Sequence, residues 1–225
     1  MISAYKLHRL NTPFFEIQQS IHLKNKLDHP INRILKRVLD VTLSLLFLIL
    51  IVPWLFPIVS IMIIIDSKGA PFFIQKRTGL GRKTFYCVKF RTMVKNQEAN
   101  RLQVQIDDVR ITKIGKFLRK NHIDELPQIF NVIWGDMSVV GPRPHMLRHN
   151  VEYAQKSPNY HLRHSTKPGL TGLAQVRGYH GMIADEDDYK NRLSSDIEYI
   201  HHWSLIGDLE IFIMTTIKIV FRLDR

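Results

Sequence analysis

The chain has 225 residues and a formal net charge of +12 at pH 7. This length fits one domain, or one domain with a membrane element, and the charge predicts an acidic partner: a phosphorylated substrate, anionic lipid or nucleic acid. Cys87 is the single cysteine, which excludes an intrachain disulfide framework. The N-terminus does not show a charged leader, apolar stretch and cleavage site in order, so we expect no secretory signal.

The chain opens with a polar segment and then enters a long uncharged run. Residues 1–30 are mixed in character and predict a tail or a short interfacial helix. Residues 41–65 carry no charge, and as one straight helix they would measure about 37 Å, enough to cross the core of a bilayer. Pro53 and Pro57 interrupt the run near its middle, where each removes a backbone donor, so we expect a kink or break there.

Basic residues flank the uncharged run on both sides. They are Lys24, Lys26, Arg33, Lys36 and Arg37 before it, and Lys68, Lys76, Arg77, Arg82 and Lys83 after it. Because positive charge favours the cytoplasmic side of a membrane, a hairpin over residues 31–66 that enters and leaves by one face satisfies both flanks. A buried pair of helices in the core of a soluble protein is the alternative.

Residues 72–93 predict a β-hairpin. Strand-forming residues stand on either side of a turn that Gly79 and Gly81 supply, and the spacing of these glycines does not fit a phosphate-binding loop. The second strand would place Lys89 and Arg91 on one face, because side chains alternate along a strand. These two cations serve a binding site or, alternatively, lie on a solvated strand face.

Further helices are predicted downstream. Residues 107–120 combine basic residues with apolar residues at helical spacing, which is typical of an amphipathic helix on a membrane or on the core. Residues 126–134 predict a short helix closed by Gly135. Helices are also expected around residues 193–203 and over the apolar residues 211–221, which are too few to span a bilayer and would pack on the fold or lie in the interface.

Two adjacent carboxylates, Asp124 and Glu125, stand between these elements. Their charges repel, and a hard divalent cation such as Mg²⁺, which takes oxygen ligands, is a common reason to hold such a pair together. Arg119 and Arg143 add guanidinium groups that can grip phosphate with two hydrogen bonds. Carboxylates, a cation and arginines together indicate phosphoryl chemistry. The alternative is a helix N-terminus, where acidic residues favour the dipole, with two surface arginines.

Two further stretches carry candidate ligand groups. His145, His149, His161 and His164 include intervals of three and four, which on a helix face could hold a metal ion. No cysteine or suitably placed acid completes a zinc set, and surface histidines are the alternative. Residues 167–181 are rich in glycine, and such a loop either brings backbone N–H groups close to a ligand or makes a structural turn.

Several linked motifs surround the acid pair. They are, in chain order, Lys89-Phe90-Arg91-Thr92-Met93, Arg110-Ile111-Thr112, Asp124-Glu125-Leu126-Pro127-Gln128, Asn131-Val132, Gly135-Asp136-Met137-Ser138, Val140-Gly141-Pro142-Arg143-Pro144 and Lys167-Pro168-Gly169-Leu170-Thr171-Gly172-Leu173-Ala174-Gln175-Val176. This set resembles the signature of the bacterial sugar transferases, the monotopic phosphoglycosyl transferases. The resemblance runs from about residue 33 to the C-terminus, and several motifs in one order are far more specific than any single one.

Members of this family move a sugar-1-phosphate from a nucleoside-diphosphate sugar to a polyprenyl phosphate. The resemblance implies that Asp124 is a nucleophile that carries the phosphosugar covalently and releases UMP, and that Glu125 joins it in binding Mg²⁺. It implies that the substrate is held by Lys89, Arg91, Arg119, Arg143, Lys167, Gly172 and Gln175.

The resemblance also implies an α/β fold with one compact catalytic domain at residues 67–225. The re-entrant membrane hairpin at 31–66 and interfacial amphipathic helices would hold this domain on the cytoplasmic face of the bacterial inner membrane. The expected partners are a UDP-sugar, undecaprenyl phosphate and inner-leaflet lipid, and homo-oligomerisation is left open. The run at 178–181 is closer to relatives that transfer hexose-1-phosphate, which predicts UDP-glucose or UDP-galactose as the donor for an exopolysaccharide, capsule or O-antigen type glycan.

The sequence departs from the usual family pattern at three places, and none of them removes a catalytic residue. Val109 replaces a common proline, His122-Ile123 replaces a serine-leucine pair, and Val52 stands where serine often precedes the proline. Two rival classes remain, a nucleic-acid-binding protein and a non-catalytic membrane adaptor. The chain lacks a helix-turn-helix, zinc-finger or aromatic RNA-binding motif, and the intact acid pair disfavours an adaptor.

Overall fold

The computed structural model describes residues 25–94, 108–179, 181, 183 and 185–221. Most of the predicted N-terminal segment at residues 1–30 therefore lies outside the described residues. The helices are α1 (Pro30–Leu50), α2 (Val52–Asp66), α3 (Lys113–Lys120), α4 (Gln128–Trp134), α5 (Leu147–Lys156), α6 (Leu173–Val176), α7 (Glu186–His202) and α8 (Leu205–Phe221). The strands are β1 (Phe72–Thr78), β2 (Thr84–Phe90), β3 (Ser138–Val140) and β4 (Gly169–Thr171).

Helices α1 and α2, together called the hairpin, have the helix–break–helix arrangement that the sequence predicted. The first helix ends at Leu50 because Pro53 has no N–H to offer the preceding turn and its ring crowds that turn. The helices meet at Ile51 with a bend of 65°, which confirms the break expected near Pro53. Among the described residues, no single helix has both the length and the apolar character to cross a bilayer, whereas this bent pair meets both requirements together.

The outer surface of the hairpin is apolar and its inner surface is partly polar. Ile49 and Ile65 are 70% and 81% exposed, whereas Lys36, Asp40 and Ser44 face the rest of the chain and are buried. A helix of a soluble core shows the opposite arrangement, with apolar residues inside. The alternative of a helix pair buried within a soluble core therefore does not describe this hairpin.

The strands make two small sheets. Strands β1 and β2 pair antiparallel, with Phe72 opposite Phe90 and Thr78 opposite Thr84, which confirms the predicted hairpin and its glycine turn. Strands β3 and β4 pair in parallel. Gly169 is essential to this second contact, since a Cβ atom there would lie 2.1 Å from the backbone nitrogen of Gly141. Helices and strands together build one compact mixed unit, as predicted at this coarser level.

A hydrophobic cluster joins the hairpin to the segment that carries the acid pair. Phe56 of α2 packs edge-on against Phe90 at a ring-centroid distance of 4.9 Å, and Leu118 of α3 is fully buried beside them. Ile123 and Leu126, which flank the acid pair, pack on the same cluster. Helix α2 of the hairpin therefore packs against the residues on either side of the acid pair.

The remaining helices differ from the predictions mainly at their ends. Helix α3 begins at Lys113, later than predicted, because Thr112 caps it by accepting the Gly115 N–H. Helix α4 ends at Trp134 and is closed by Gly135 with φ 93°, as predicted. Helix α7 begins before the predicted residues 193–203, since the side chain of Asp185 caps its first turn. Residue 107, where the α3 prediction began, lies outside the described residues.

Candidate active site

The acid pair lies in a tight turn between α3 and α4. Asp124 and Glu125 belong to a short 3-10 helix, Ile123–Glu125, and His122 precedes it with a left-handed φ of 55°. A non-glycine residue in this conformation costs about 1–3 kcal/mol, and such strain is concentrated at functional sites. Helix α4 begins without a side-chain cap, so neither carboxylate serves as its N-cap. The alternative interpretation as an ordinary helix N-terminus does not fit this geometry.

Two cations from separate segments hold Glu125. Lys89 of β2 donates to Oε1 at 2.6 Å, and Arg143, which follows β3, donates from Nη1 to Oε2 at 2.7 Å and from Nη2 to Oε1. Burial opposes ionisation of Glu125, but the charges of Arg143 and Lys89 outweigh it and hold the pKa of this carboxyl well below its ordinary value. The pKa of Arg143 is raised in return, chiefly by the Glu125 charge. Glu125 is therefore a fixed anion.

Asp124 has the opposite environment. It is 9% exposed, and no described residue donates a hydrogen bond to its carboxylate. Burial first, and the neighbouring Glu125 charge second, raise its pKa, while the charges of Lys89, Arg119 and Arg143 oppose that rise. Two adjacent carboxylates whose pKa values move apart are typical of a site that divides two chemical roles between them. Asp124 is therefore the carboxylate of the pair whose oxygens accept no hydrogen bond from the described residues.

Arg119 reaches the site from α3 and is oriented by one hydrogen bond. Its Nε donates to Oγ1 of Thr92 at 2.7 Å, and within the described ranges its two Nη groups make no hydrogen bond. Gly115 permits this approach, because a Cβ atom there would lie 2.0 Å from the carbonyl oxygen of Thr92. With Lys89 and Arg143, Arg119 makes three cations that act on Asp124, which is an arrangement able to accept an anion.

Arg91 lies elsewhere, although the sequence placed it on one strand face with Lys89. Strand β2 ends at Phe90, and the Arg91 guanidinium turns to the end of α2, where it donates to the carbonyls of Ser67 at 2.6 Å and Lys68 at 2.5 Å. It satisfies carbonyls of the segment that directly follows α2. Arg91 therefore has a structural role and differs in this from Lys89, Arg119 and Arg143, whose charges act on Asp124.

The predicted residues of the glycine-rich stretch make no hydrogen bond or ion pair with the acid pair among the described residues. Lys167 stands near Gly135, at the far end of α4, where burial first and Arg37 second lower its pKa. Gly172 packs against the backbone, since a Cβ atom there would lie 2.2 Å from the carbonyl oxygen of Gly141. Gln175 donates to the carbonyl of Leu170 at 3.3 Å. Their roles toward substrate stay predictions, and the structure gives Gly172 a packing role.

Asn131 is a site residue to which the sequence assigned no role. It is fully buried, donates to the carbonyl of Tyr86 at 2.7 Å and accepts the Val88 N–H at 3.0 Å, so it ties α4 to the part of β2 that precedes Lys89. The signal available in the sequence was an asparagine on the apolar side of a short helix, inside a matched motif. A buried amide there requires polar partners.

The histidines do not form a metal centre in the described part of the chain. His145 is buried, lies 2.7 Å from the Tyr160 hydroxyl through Nδ1, and stacks on that ring. Burial first and the Arg163 charge second hold the pKa of His145 well below its ordinary value. Across the described residues, no group of three or more histidine, cysteine or acidic side chains is arranged to hold a metal ion. His145 and His164 are buried, which also corrects the alternative that these were surface histidines.

Comparison with known proteins decides the family. The family model described as bacterial sugar transferase matches residues 31–222. The chain belongs to this family. The resemblance inferred from the linked motifs is thereby confirmed, and so is the expectation that the chain is a member of a transferase family.

Three relatives illustrate the range of the family. The UDP-glucose:undecaprenyl-phosphate glucose-1-phosphate transferase of Klebsiella pneumoniae is 43% identical over 84% of this chain and 40% of its own length. The UDP-N-acetylgalactosamine-undecaprenyl-phosphate N-acetylgalactosaminephosphotransferase of Aeromonas hydrophila is 38% identical over 86% of this chain and 45% of its own length. The exopolysaccharide production protein PSS of Rhizobium leguminosarum bv. phaseoli is 38% identical over 82% of this chain and 94% of its own length. The chain thus spans less than half the length of the first two.

Proposed function

We propose that this chain transfers a sugar-1-phosphate from a UDP-sugar to undecaprenyl phosphate through a covalent intermediate on Asp124. One observation carries the proposal: Glu125 is bound by Lys89 and Arg143, whereas Asp124 beside it accepts no hydrogen bond from the described residues. A carboxylate with free oxygens among three cations can attack a phosphorus atom and can be regenerated. The names of the family relatives supply the class of substrate.

The first step forms the intermediate. An Oδ atom of Asp124 attacks the β-phosphorus of the UDP-sugar, and the bond between this phosphorus and the oxygen bridging the two phosphates breaks. UMP leaves with that oxygen and its electron pair, and the sugar phosphate stays on Asp124 as an acyl phosphate. Arg119, Arg143 and Lys89 offset the negative charge that gathers on the phosphoryl oxygens.

The second step restores the enzyme. A phosphate oxygen of undecaprenyl phosphate attacks the phosphorus of the intermediate, and the bond from phosphorus to the Asp124 oxygen breaks. The product is undecaprenyl diphosphate sugar, and the carboxylate of Asp124 is free again. Two successive half-reactions let one small site serve a soluble donor and a lipid acceptor in turn.

Mg²⁺ would fit this site together with the diphosphate of the donor. It uses one or two carboxylates together with substrate phosphates and water, and Asp124 and Glu125 are the residues we propose to hold it. The Glu125 oxygens already accept N–H groups from Lys89 and Arg143, so the pair alone is not a complete cage. When bound, the ion offsets charge on the diphosphate.

The apolar outer surface of the hairpin supports a place on the membrane. A re-entrant hairpin would enter the cytoplasmic leaflet of the bacterial inner membrane and leave by the same face, with the apolar side chains of α1 and α2 against lipid. The residues that flank the acid pair, Ile123 and Leu126, pack on the Phe56 cluster of the hairpin. A hairpin in the leaflet would therefore put the acid pair near the level of the lipid phosphates. The product would be the first membrane-bound intermediate of an exopolysaccharide, capsule or O-antigen type glycan.

The donor we propose is UDP-glucose or UDP-galactose. The proposal rests on the run at residues 178–181, of which His180 lies outside the described residues, and on the glucose-specific name of the Klebsiella relative. The Aeromonas relative is named for an acetamido sugar, so a panel of donors is the direct test. Turnover confined to N-acetylated donors would contradict the hexose assignment and leave the two-step chemistry intact.

The mechanism is tested with the donor alone. Purified protein is incubated with Mg²⁺ and UDP-glucose radiolabelled in the sugar, without undecaprenyl phosphate, and protein-bound label and UMP are measured. We expect label on the protein with an equal amount of UMP, no label on Asp124→Asn, and strongly reduced labelling of Glu125→Gln, while the exposed acid in Asp187→Asn serves as the unchanged control. Label that persists in Asp124→Asn, or UMP release only when the acceptor is present, would overturn the covalent mechanism.

A further inference from the structure

Buried polar groups of the hairpin hold the strand that leads to Arg143. Asp40 of α1 accepts the Ser138 hydroxyl at 2.8 Å and the Val139 N–H at 2.9 Å. Lys36, one turn earlier on α1, donates to the carbonyl oxygen of Val140 at 2.9 Å. Both side chains are buried, so α1 fixes every residue of β3 through polar contacts shielded from water. Arg143 follows only three residues later.

Lys36 is itself held by a second set of buried groups. Its Nζ donates to Oδ2 of Asp208 at 2.7 Å and to the Tyr199 hydroxyl at 2.9 Å. The Tyr199 oxygen lies 2.8 Å from Oδ1 of Asp208 and 3.0 Å from the Val140 carbonyl oxygen, and Trp203 donates to Oδ2 of Asp208 at 3.0 Å. Asp208, in the first turn of α8, therefore joins the hairpin, α7 and α8 at the end of β3.

The backbone of Arg143 is also fixed from its other side. Arg163 donates from Nη2 to the carbonyl oxygen of Arg143 at 2.8 Å. Asp196 of α7 accepts from Nε of Arg163 at 3.0 Å and from Nη2 at 2.7 Å, and both side chains of this pair are buried. The guanidinium that grips Glu125 thus extends from a segment anchored at both ends, by the hairpin at Val140 and by α7 at Arg143.

We propose that Lys36 is a positioning residue that acts through Val140 to set Arg143 against Glu125. Docking of hairpin helix α1 onto the rest of the chain and the geometry of the acid pair are then one linked event. A buried ion pair adds little stability compared with apolar groups of the same shape, because desolvation offsets the attraction. The Lys36–Asp208 pair is instead suited to fixing the end of β3. The activity measurements that follow rest on the proposed transferase function.

The test separates positioning from stability with a double variant. Lys36→Met alone leaves a buried Asp208 without its ammonium partner and is expected to destabilise the fold. Lys36→Met/Asp208→Asn removes both charges and keeps both shapes, so we expect its melting temperature to return close to the parent value. Its kcat should still fall about tenfold or more, because misplacement of a charged group by about 1 Å can cost on the order of a hundredfold. The donor KM should change far less.

A matched control and a double-mutant cycle define the cause. Lys190→Met removes the ammonium from an exposed pair with Glu186, and it should leave kcat, KM and melting temperature unchanged. In an Arg143→Lys background, the Lys36→Met/Asp208→Asn change should cost little further kcat, since both alter the same contact with Glu125. Independent, multiplicative losses would overturn the route through Arg143, and full recovery of kcat with stability would assign the pair to folding alone.

Amide hydrogen exchange gives a readout that needs no turnover. In Lys36→Met/Asp208→Asn, peptides covering residues 138–144 should exchange faster than in the parent protein, while peptides of α4 should not. If the parent protein transfers no sugar phosphate from any donor, the proposed function fails on its own, and exchange then decides the link between hairpin and strand. Unchanged exchange over residues 138–144 would overturn that link.

Discussion

At the scale of single residues, the site depends on two neighbouring carboxyl groups in different surroundings. Glu125 is fixed by three N–H donors from Lys89 and Arg143, and Asp124 is left with charges nearby but no described donor. A carboxylate that attacks phosphorus needs an oxygen lone pair directed at that atom, and hydrogen bonds from the described residues leave the lone pairs of Asp124 unengaged. The resemblance implied different roles for the two carboxylates, and the geometry adds a physical difference between them that the adjacent pair Asp-Glu does not reveal by itself.

Arg119 makes the division testable through pH. Its charge lowers the pKa of Asp124, so Arg119→Gln should raise that pKa and keep the carboxyl protonated to higher pH. Attack on phosphorus needs the ionised form, so the acidic limb of the labelling rate should move to higher pH in the variant. The measurement is the initial rate of label attachment across a pH series. An acidic limb that stays in place would show that Asp124 does not control the step.

Lys190→Gln provides the control for this series. Lys190 is exposed and pairs only with Glu186 among the ion pairs of the described residues, so its loss changes the net charge by the same amount without touching Asp124. Its acidic limb should match that of the parent protein. A shift of equal size in both variants would indicate a general effect of charge.

At the scale of elements, the sequence predicted the local structure well and the long side-chain contacts poorly. The break near Pro53, the β-hairpin turn and the end of α4 at Gly135 follow from backbone rules that act within a few residues. The destination of Arg91 does not, because its carbonyl partners at Ser67 and Lys68 lie more than twenty residues earlier. Alternation along a strand fixes the face to which the Cα–Cβ bond points. Beyond the end of the strand, a long side chain such as that of Arg91 can bend towards any hydrogen-bond acceptor within its reach.

Lys89 and Arg91 form a natural pair of variants for this point. Arg91→Met should leave carbonyls at the end of α2 without partners and cost about 1–3 kcal/mol of unfolding free energy. Labelling per folded molecule should stay close to the parent value. Lys89→Met should have a smaller effect on stability and reduce labelling strongly, since it removes a cation that acts on both carboxylates.

Thermal unfolding and the donor-only labelling assay, run on the same preparations, distinguish the two variants. If Arg91→Met unfolds at the parent temperature but loses labelling, Arg91 contacts substrate as the family resemblance implied. In that event the hydrogen bonds of Arg91 to the carbonyls that follow α2 contribute little to stability. A Lys89→Met variant that loses stability but keeps parent-level labelling would show that Lys89 is not one of the cations needed at Asp124.

At the scale of the whole molecule, the candidate site is assembled from segments far apart in the chain. Lys89 meets Glu125 across 36 residues, and Arg143 meets it across 18. The linked motifs identified these residues as a set without their contacts. The contacts depend on the packing of β2, α4 and β3 on the hairpin. Asn131 and Lys36 are buried groups that hold these elements together, and their partners are evident only from the folded structure. Tertiary packing, which no local pattern encodes, accounts for the part that was not predicted.

The same packing makes the topology of the hairpin a decisive property. We expect both flanks of the hairpin on the cytoplasmic side, because basic residues stand before and after it and the two helices meet at a bend of 65° instead of forming one straight span. Single-cysteine variants at residues 30 and 70, in a chain with Cys87 replaced, test this in spheroplasts with a membrane-impermeant thiol reagent. Neither site should react until the membrane is opened, and both should react afterwards. Reaction of one site from outside would indicate a spanning helix.

The prolines supply the matched variant for this experiment. Replacing Pro53 and Pro57 by leucine restores the missing N–H donors, so α1 and α2 should join into one straighter helix. A straight helix cannot return to the same face of the bilayer and still keep Lys36 against β3. We therefore expect this variant to lose donor-only labelling, or to expose one flank to the outside reagent, or both. If the variant keeps parent-level labelling and both flanks stay protected from the reagent, then the bend is not needed for the topology of the hairpin or for the activity of the acid pair.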